Sequence, residues 1–333
     1  MKILFLVGIY PPKICGIGDY TYKLKMKLDE KNIETKVLDG LNWKTNPFKI
    51  YKIIKKYNPD IIHIQYPLTG LSAHILLLMC FLKYKILITA HEFAETHWTR
   101  KISMFIFPLS KAIIWTTNLE LNNFKKYFPI RIPCKHKVIP IASNIPFIES
   151  KPYFQRDKIM GFFGGIRPSK GLEEFFELVE LLEKENSFKI KVIGSTSEIY
   201  MDYFNSIKQK YSHYDIEWNL NLSEKDVALE LSKMKYIYLP FEDGASERRG
   251  SLLAAIGNGA CVISTAGKYL TPIIKSSIHI ADTHLMAKEI IENAEKNFNV
   301  ESKNGMNEVK KYYNWDKIIN LNIDLYKEVL KNS

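Results

Sequence analysis

The sequence predicts an α/β protein built from two doubly wound domains. Three observations carry this. Short runs that are apolar on both faces alternate with helical patterns, which is how a parallel sheet covered on both sides reads. The same alternation restarts after residue 158. And 333 residues suit two domains of ordinary size.

Each element has a local reason. Residues 3–8 (Ile-Leu-Phe-Leu-Val-Gly) form a continuous apolar strand, and 20–28 carry apolar residues at helical spacing. Met1 to Tyr10 mimic a signal peptide, but Pro11-Pro12 follow with no small-x-small cleavage site, so a buried first strand is the better reading. Strands follow at 35–38, 61–64, 86–89, 112–115 and 137–139, with helices at 71–83, 100–109 and 119–127. The apolar run 73–82 falls short of the ~20 residues of a spanning helix and reads as core. Residues 143–157, with Pro146 and Pro152, lack periodicity. The second domain then gives strands at 159–163, 189–193, 215–218, 236–239 and 261–264. Its helices fall at 172–183, 199–210, 224–233 and 251–258. The domains are set at 1–145 and 158–314, with 146–157 as linker.

Composition narrows the function. The chain is 46% hydrophobic and 25% charged, which excludes disorder and a disulfide scaffold. Cys15, Cys80, Cys134 and Cys261 are scattered, so no zinc ribbon is readable and a reducing, cytoplasmic compartment is expected. The net charge of +11 is lopsided: residues 1–150 hold 22 Lys+Arg against 10 Asp+Glu, and the rest hold 25 against 26. One domain therefore faces an anionic partner. No D-x-D, H-E-x-x-H, G-x-S-x-G or P-loop pattern occurs, so metal-dependent phosphate chemistry, zinc hydrolysis and P-loop ATP hydrolysis are poor fits. Nucleic acid is a poor fit too, since no groove-reading motif accompanies the charge.

Open parallel sheets bind ligands at the carboxyl ends of their strands. Four motifs stand there. Gly16-Ile17-Gly18 opens the first helix, where free N–H groups and the helix dipole favour an anion. Asp39 lies where a dinucleotide fold has its ribose acid, but Thr21 replaces the third glycine and residues 9–15 interrupt the tight turn, which argues against NAD. Gly164-Gly165-Ile166-Arg167-Pro168-Ser169-Lys170-Gly171 sets two cations at the mouth of a second helix. The chain has 41 lysines and only 6 arginines, so an arginine marks a place that uses its bidentate fork. Residues 242–251 add Glu242, Asp243, Glu247, Arg248 and Arg249 before a third helix. His91-Glu92 ends a strand beside an acid, whereas His63 lies inside one and reads as packed.

In order along the chain, five stretches resemble the GT-B glycosyltransferases, specifically the retaining glycosyltransferase family 4. They are Tyr10-Pro11-Pro12 with Gly16-Ile17-Gly18, Thr89-Ala90-His91-Glu92, Val138-Ile139-Pro140, Gly161-Phe162-Phe163-Gly164-Gly165 with Lys170-Gly171, and Gly259-Ala260-Cys261-Val262-Ile263. The resemblance implies two Rossmann-like domains facing across a cleft, with 315–333 crossing back onto the first. It implies a nucleotide-sugar donor on the second domain and the acceptor on the first. Arg167 and Lys170 match the pair that neutralises the donor diphosphate, and Gly16 and Gly18 match the loop near it. His91 matches a residue on the transferred sugar, and Gly194, Trp218 and Asn219 match the region near the nucleoside.

One departure stands out. The family's two glutamates, with seven residues between them, fall on Ser246 and Ala254, or, one place on, on Glu247 and Ala255. Glu247 is then expected to hold a donor-sugar hydroxyl. Arg249, with the helix start at Gly250, Ser251 and Leu252, is expected to face the phosphates, and Arg248 to pair with Glu242, Asp243 or the acceptor. The expected activity is metal-independent and cofactor-free sugar transfer with retention, in bacterial surface glycan or glycolipid synthesis. The acceptor would be anionic or lipid-linked, and the enzyme would rest on the inner face of the membrane. A nucleotide-sugar epimerase of the same superfold and a non-catalytic nucleotide-sugar binder are the alternatives.

Overall fold

A computed structural model describes residues 1–13, 15–40, 47–68, 84–91, 107–127, 134–183, 188–293 and 298–331. The helix expected at 71–83, most of that at 100–109, and Cys80 and Glu92 lie outside the described residues. The chain forms two units, Met1–Ile141 with Trp315–Ser333, and Ala142–Asn314.

The first unit holds a six-stranded parallel sheet. Its strands are β1 (Lys2–Leu6), β2 (Glu34–Leu38), β3 (Ile61–Tyr66), β4 (Lys85–Ala90), β5 (Ala112–Trp115) and β6 (Lys135–Val138), in the order β2-β1-β3-β4-β5-β6. The chain order reverses at β1, so its switch point lies between β1 and β3, next to the loop that enters α1 (Gly16–Glu30). All six residues of β3 are buried, as a strand covered on both faces demands. Two of them, His63 and Gln65, are polar. Helix α2 (Pro47–Tyr57) is not foreseen from sequence, because four lysines crowd it. Among its described side chains the buried ones are Ile50 and Ile54, one turn apart, and Lys49, Lys52, Lys55 and Lys56 are exposed. Helix α3 (Asn118–Tyr127) and the C-terminal helix Trp315–Lys331 also belong to this unit. The latter buries Ile318, Ile319, Leu325, Tyr326 and Val329.

The second unit repeats the architecture with β7 (Asp157–Gly165), β8 (Lys189–Ser195), β9 (Ile216–Leu220), β10 (Met234–Leu239), β11 (Cys261–Ser264) and β12 (His279–Ile280). Their order is β12-β11-β10-β7-β8-β9, with the reversal between β7 and β10. The helices are α4 (Leu172–Glu183), α5 (Met201–Lys210), α6 (Glu224–Lys233), α7 (Gly250–Gly257), α8 (Pro272–Lys275), α9 (His284–Asn293) and α10 (Phe298–Tyr312). The sequence reading ends its elements of this domain at residue 264. It misses β12, two residues long, and the three helices after β11.

Segment 146–157, read from sequence as a linker, is packed within the second unit. Tyr153 is buried with its hydroxyl 2.5 Å from that of Tyr236. The buried Arg156 guanidinium donates to the carbonyls of Lys151 (2.9 Å), Met234 (3.1 Å) and Asn258 (3.0 Å). Asn258 caps the carboxyl end of α7, so Arg156 sets a positive charge at the negative end of that helix. Among the described residues no helix is long and apolar enough to cross a membrane.

Candidate functional site

The loops that follow β7 and β10 flank the switch point of the second unit. Gly171 links them: its φ is +80°, and a Cβ there would stand 2.3 Å from the Pro240 carbonyl oxygen. Only glycine allows both the backbone and the contact. Ser169 also has a positive φ, 64°, so the segment before α4 is a tight turn. That turn brings Lys170 into the field of Arg249 and Arg167. Burial first, then Arg249 and Arg167, lower the Lys170 ammonium to about 8, with Glu242 opposing. Three cations therefore share one spot, with Glu242 opposing them and Asp243 paired to Arg249.

The start of α7 adds to this. Arg249 is its N-cap and gives no side-chain cap, and the first bond of the helix runs from Leu253 N–H to the Arg249 carbonyl at 3.0 Å. The N–H groups of Gly250, Ser251 and Leu252 are thus at the open end of the helix dipole. No heavy atom would meet a Cβ within 4 Å at Gly250, and the same holds at Gly165. The Leu252 side chain is in the core, so only its backbone faces this end.

The arginine pair is arranged differently from the expectation. Arg249 is the residue that pairs with Asp243, and its guanidinium lies 4.7 Å from the Phe241 ring centre. Arg248 lies 4.9 Å from the Tyr269 ring centre and supports the Glu247 carboxylate. The turn closed by Arg249 N–H on the Ser246 carbonyl (3.1 Å) sends the neighbouring side chains apart. Glu247 is half-buried, which raises its pKa, against a 2.7 Å hydrogen bond from the Tyr313 hydroxyl to Oε2 and the charge of Arg248.

Elsewhere in this unit, Gly194 has a backbone reason: a Cβ would stand 2.6 Å from the Gly164 carbonyl oxygen, its partner across β7 and β8. The Trp218 ring is packed against Phe204 (5.3 Å) and Phe176 (5.9 Å), on the helix side of the sheet. Asn219, next along the strand, faces the other side, and its buried Oδ1 has no partner among the described residues.

In the first unit, α1 begins at Gly16 with no side-chain cap. Gly16 is open, whereas a Cβ at Gly18 would stand 2.4 Å from the Ile9 carbonyl oxygen, so Gly18 lets the backbone of Ile9 and Tyr10 lie on the helix. His91 follows β4, buried, with Nε2 2.8 Å from Gln65 Oε1 and its ring edge-on to Tyr20 at 5.0 Å. Burial lowers its pKa to about 3, so the imidazole is neutral. His63 is a packed residue: its ring nitrogens are 2.7 Å from Tyr326 Oη and 2.7 Å from Thr89 Oγ1. Sequence reasoning missed Gln65 and Tyr313. The signal for Gln65 is a polar residue in a strand with no exposed face; Tyr313 carries none. Among the described residues no group of three or more His, Cys, Asp or Glu side chains is placed to hold a metal.

Two Rossmann-like units with ligand-type loops at their switch points match solved structures over the whole chain. A glycosyltransferase from Rickettsia africae superposes with a TM-score of 0.75 at 18% identity, covering 100% of this chain and 99% of that one. HepE from Anabaena, solved with UDP and glucose, superposes with a TM-score of 0.72 at 12% identity, covering 98% and 100%. The fold is GT-B. A protein of this fold from Listeria monocytogenes, named as a UDP-N-acetylglucosamine 2-epimerase, gives 0.68 at 13% identity, covering 100% and 97%. Residues 34–142 match the Glycosyltransferase Family 4 model, and the chain resembles that family. No curated protein sequence matches it. The matched segment contains β2 to β6 and His91 of this GT-B chain, and the cation cluster lies outside it.

Proposed function

We propose that the protein transfers a sugar from a nucleoside diphosphate sugar to an acceptor hydroxyl with retention of configuration. The observation that supports this most is the grouping of Lys170, Arg167 and Arg249 near the open end of α7. A leaving diphosphate needs fixed positive charge as the glycosidic bond breaks, and a helix start with arginine and lysine supplies it without a metal. Each charge-assisted contact is worth about 1.5–3 kcal/mol. The departing phosphate then serves as base for attack on the same face of the sugar. Glu247, with Oε2 held by Tyr313, takes a donor-sugar hydroxyl in the second unit, and in the first unit the neutral His91 imidazole is the group suited to a sugar hydroxyl. The fold neighbour HepE holds UDP and glucose, which makes uridine donors the first to test. The Family 4 match favours transfer over epimerisation or mere binding.

The acceptor, in this reading, is an anionic or lipid-linked glycan of a bacterial surface polymer, presented at the inner face of the membrane. Lys25 and Lys27 are paired on α1 with Asp29 (2.5 Å) and Glu30 (2.8 Å), so the exposed lysines of α2 are the better contacts. The test is calorimetry with UDP, GDP and ADP, followed by hydrolysis of the matching α-linked sugar donors in EDTA, read by NMR. Release of the α-sugar first is expected. Equal weak binding of all three diphosphates, or release of the β-sugar first, refutes the reading.

A further inference from the structure

We propose that Gln65 is a positioning residue whose carboxamide oxygen fixes His91 as the Nε2–H tautomer, leaving His91 Nδ1 to accept, and the Gln65 nitrogen to donate, hydrogen bonds with ligand hydroxyls. Gln65 is 0% exposed in a strand otherwise apolar apart from His63. The parallel register sets Gln65 opposite Thr89, two residues before His91. Its Oε1 lies 2.8 Å from His91 Nε2. A carboxamide oxygen only accepts, so that ring nitrogen carries the proton. A neutral imidazole has one N–H, so Nδ1 keeps its lone pair.

The contrast with His63 separates this from packing. His63 uses both ring nitrogens on protein partners, Tyr326 and Thr89. His91 uses one, and the Gln65 amide nitrogen, fully buried, has no partner among the described residues. A buried donor without a partner is uncommon and calls for a reason. Together, an imidazole nitrogen and an amide nitrogen with no further partner among the described residues match a ligand rich in hydroxyls, each of which both gives and takes a hydrogen bond. Among the described residues, the titratable groups recorded against His91 are Tyr20 on α1 and His63 on β3, and neither is charged near neutrality. Among the described residues, Gln65 is thus the group that sets the tautomer. The ligand class rests on the sugar-transfer reading; the tautomer does not.

The experiment is long-range ¹H–¹⁵N correlation of the histidine rings in the full chain, with His91 identified by its loss in His91→Gln. The expected result is an Nε2–H ring that does not titrate between pH 6 and pH 8. An Nδ1–H ring, or titration in that window, overturns the proposal. Gln65→Leu should abolish the tautomer preference. It should also lower kcat about tenfold while leaving nucleoside diphosphate affinity unchanged. Gln65→Glu, nearly isosteric, keeps an acceptor but adds charge, so His91 should begin to titrate and the pH profile of kcat should shift. A spectrum unchanged in both variants overturns the assignment. If the tautomer is found as stated and no donor is turned over, the sugar-transfer reading fails and the Gln65 assignment stands.

Discussion

Replacing Lys170 by methionine should stabilise the free protein and weaken diphosphate binding together. Burial, Arg249 and Arg167 lower the ammonium from 10.5 to about 8, so the folded state pays to keep it charged. At 1.36 kcal/mol per pKa unit the full shift is about 3 kcal/mol. Lys170 is only half-buried, so solvent screening reduces this to about 1–3 kcal/mol. The sign follows from linkage. The folded pKa lies below the unfolded one, so the penalty is complete below about pH 8 and disappears as pH rises toward 10.5. Lys170→Met should therefore melt higher at pH 7, by roughly 2–10 °C for a unit of this size, and the gap should close by about pH 10.5. Binding should move the other way. Above pH 8 the wild type must take up a proton with the diphosphate, so Kd rises by up to about tenfold per pH unit. The variant should bind more weakly at pH 7, by about ten- to a hundredfold, with a flat profile. Scanning calorimetry and titration calorimetry across pH 7–10 read both. A variant that melts lower at pH 7 and binds UDP as well as wild type would falsify the argument.

Three further outcomes are expected. Arg249→Ala should cost more diphosphate affinity than Arg248→Ala, by about tenfold in titration calorimetry, because the Arg249 charge acts at Lys170 beside the start of α7 whereas Arg248 acts on Glu247. Equal losses would mean the two guanidiniums share one role. Tyr313→Phe should raise the Glu247 pKa further, since the 2.7 Å hydrogen bond favours the carboxylate, and so move the acid limb of kcat to higher pH with UDP affinity unchanged. An unmoved acid limb would remove Glu247 from the reaction. Gly171→Ala should destabilise by about 1–3 kcal/mol in urea unfolding, because its φ of +80° and the Pro240 carbonyl at 2.3 Å leave no room for a methyl. Wild-type stability would show that the two loops are not locked together.

Much of the fold was legible in the residues. Buried parallel strands must be apolar on both faces, so β1, β3, β4 and β5 read as continuous runs, and the restart of the rhythm marks the second unit. What stayed hidden has a physical cause in each case. The lysines of α2 conceal the buried pair Ile50 and Ile54. Strand β12 is two residues long and holds its place through β11. Residues 146–157 look like a linker because their order comes from Arg156 reaching three distant carbonyls, not from periodicity.

The candidate site divides in the same way. Glycines, an arginine in a lysine-rich chain and a histidine at a strand end are local facts, and the sequence alone placed Gly16, Gly18, His91, Arg167, Lys170 and Arg249 at strand-to-helix loops. Which atoms meet is a matter of long-range packing. Trp218 turns to the core because strand residues alternate faces. Arg249 rather than Arg248 pairs with Asp243 because one turn aims the two side chains apart. Glu247 is held by Tyr313, 66 residues on, and His91 by Gln65, 26 residues back. Hydrogen bonds and charge act over a few ångströms, and only the folded chain brings residues so far apart in sequence to that distance.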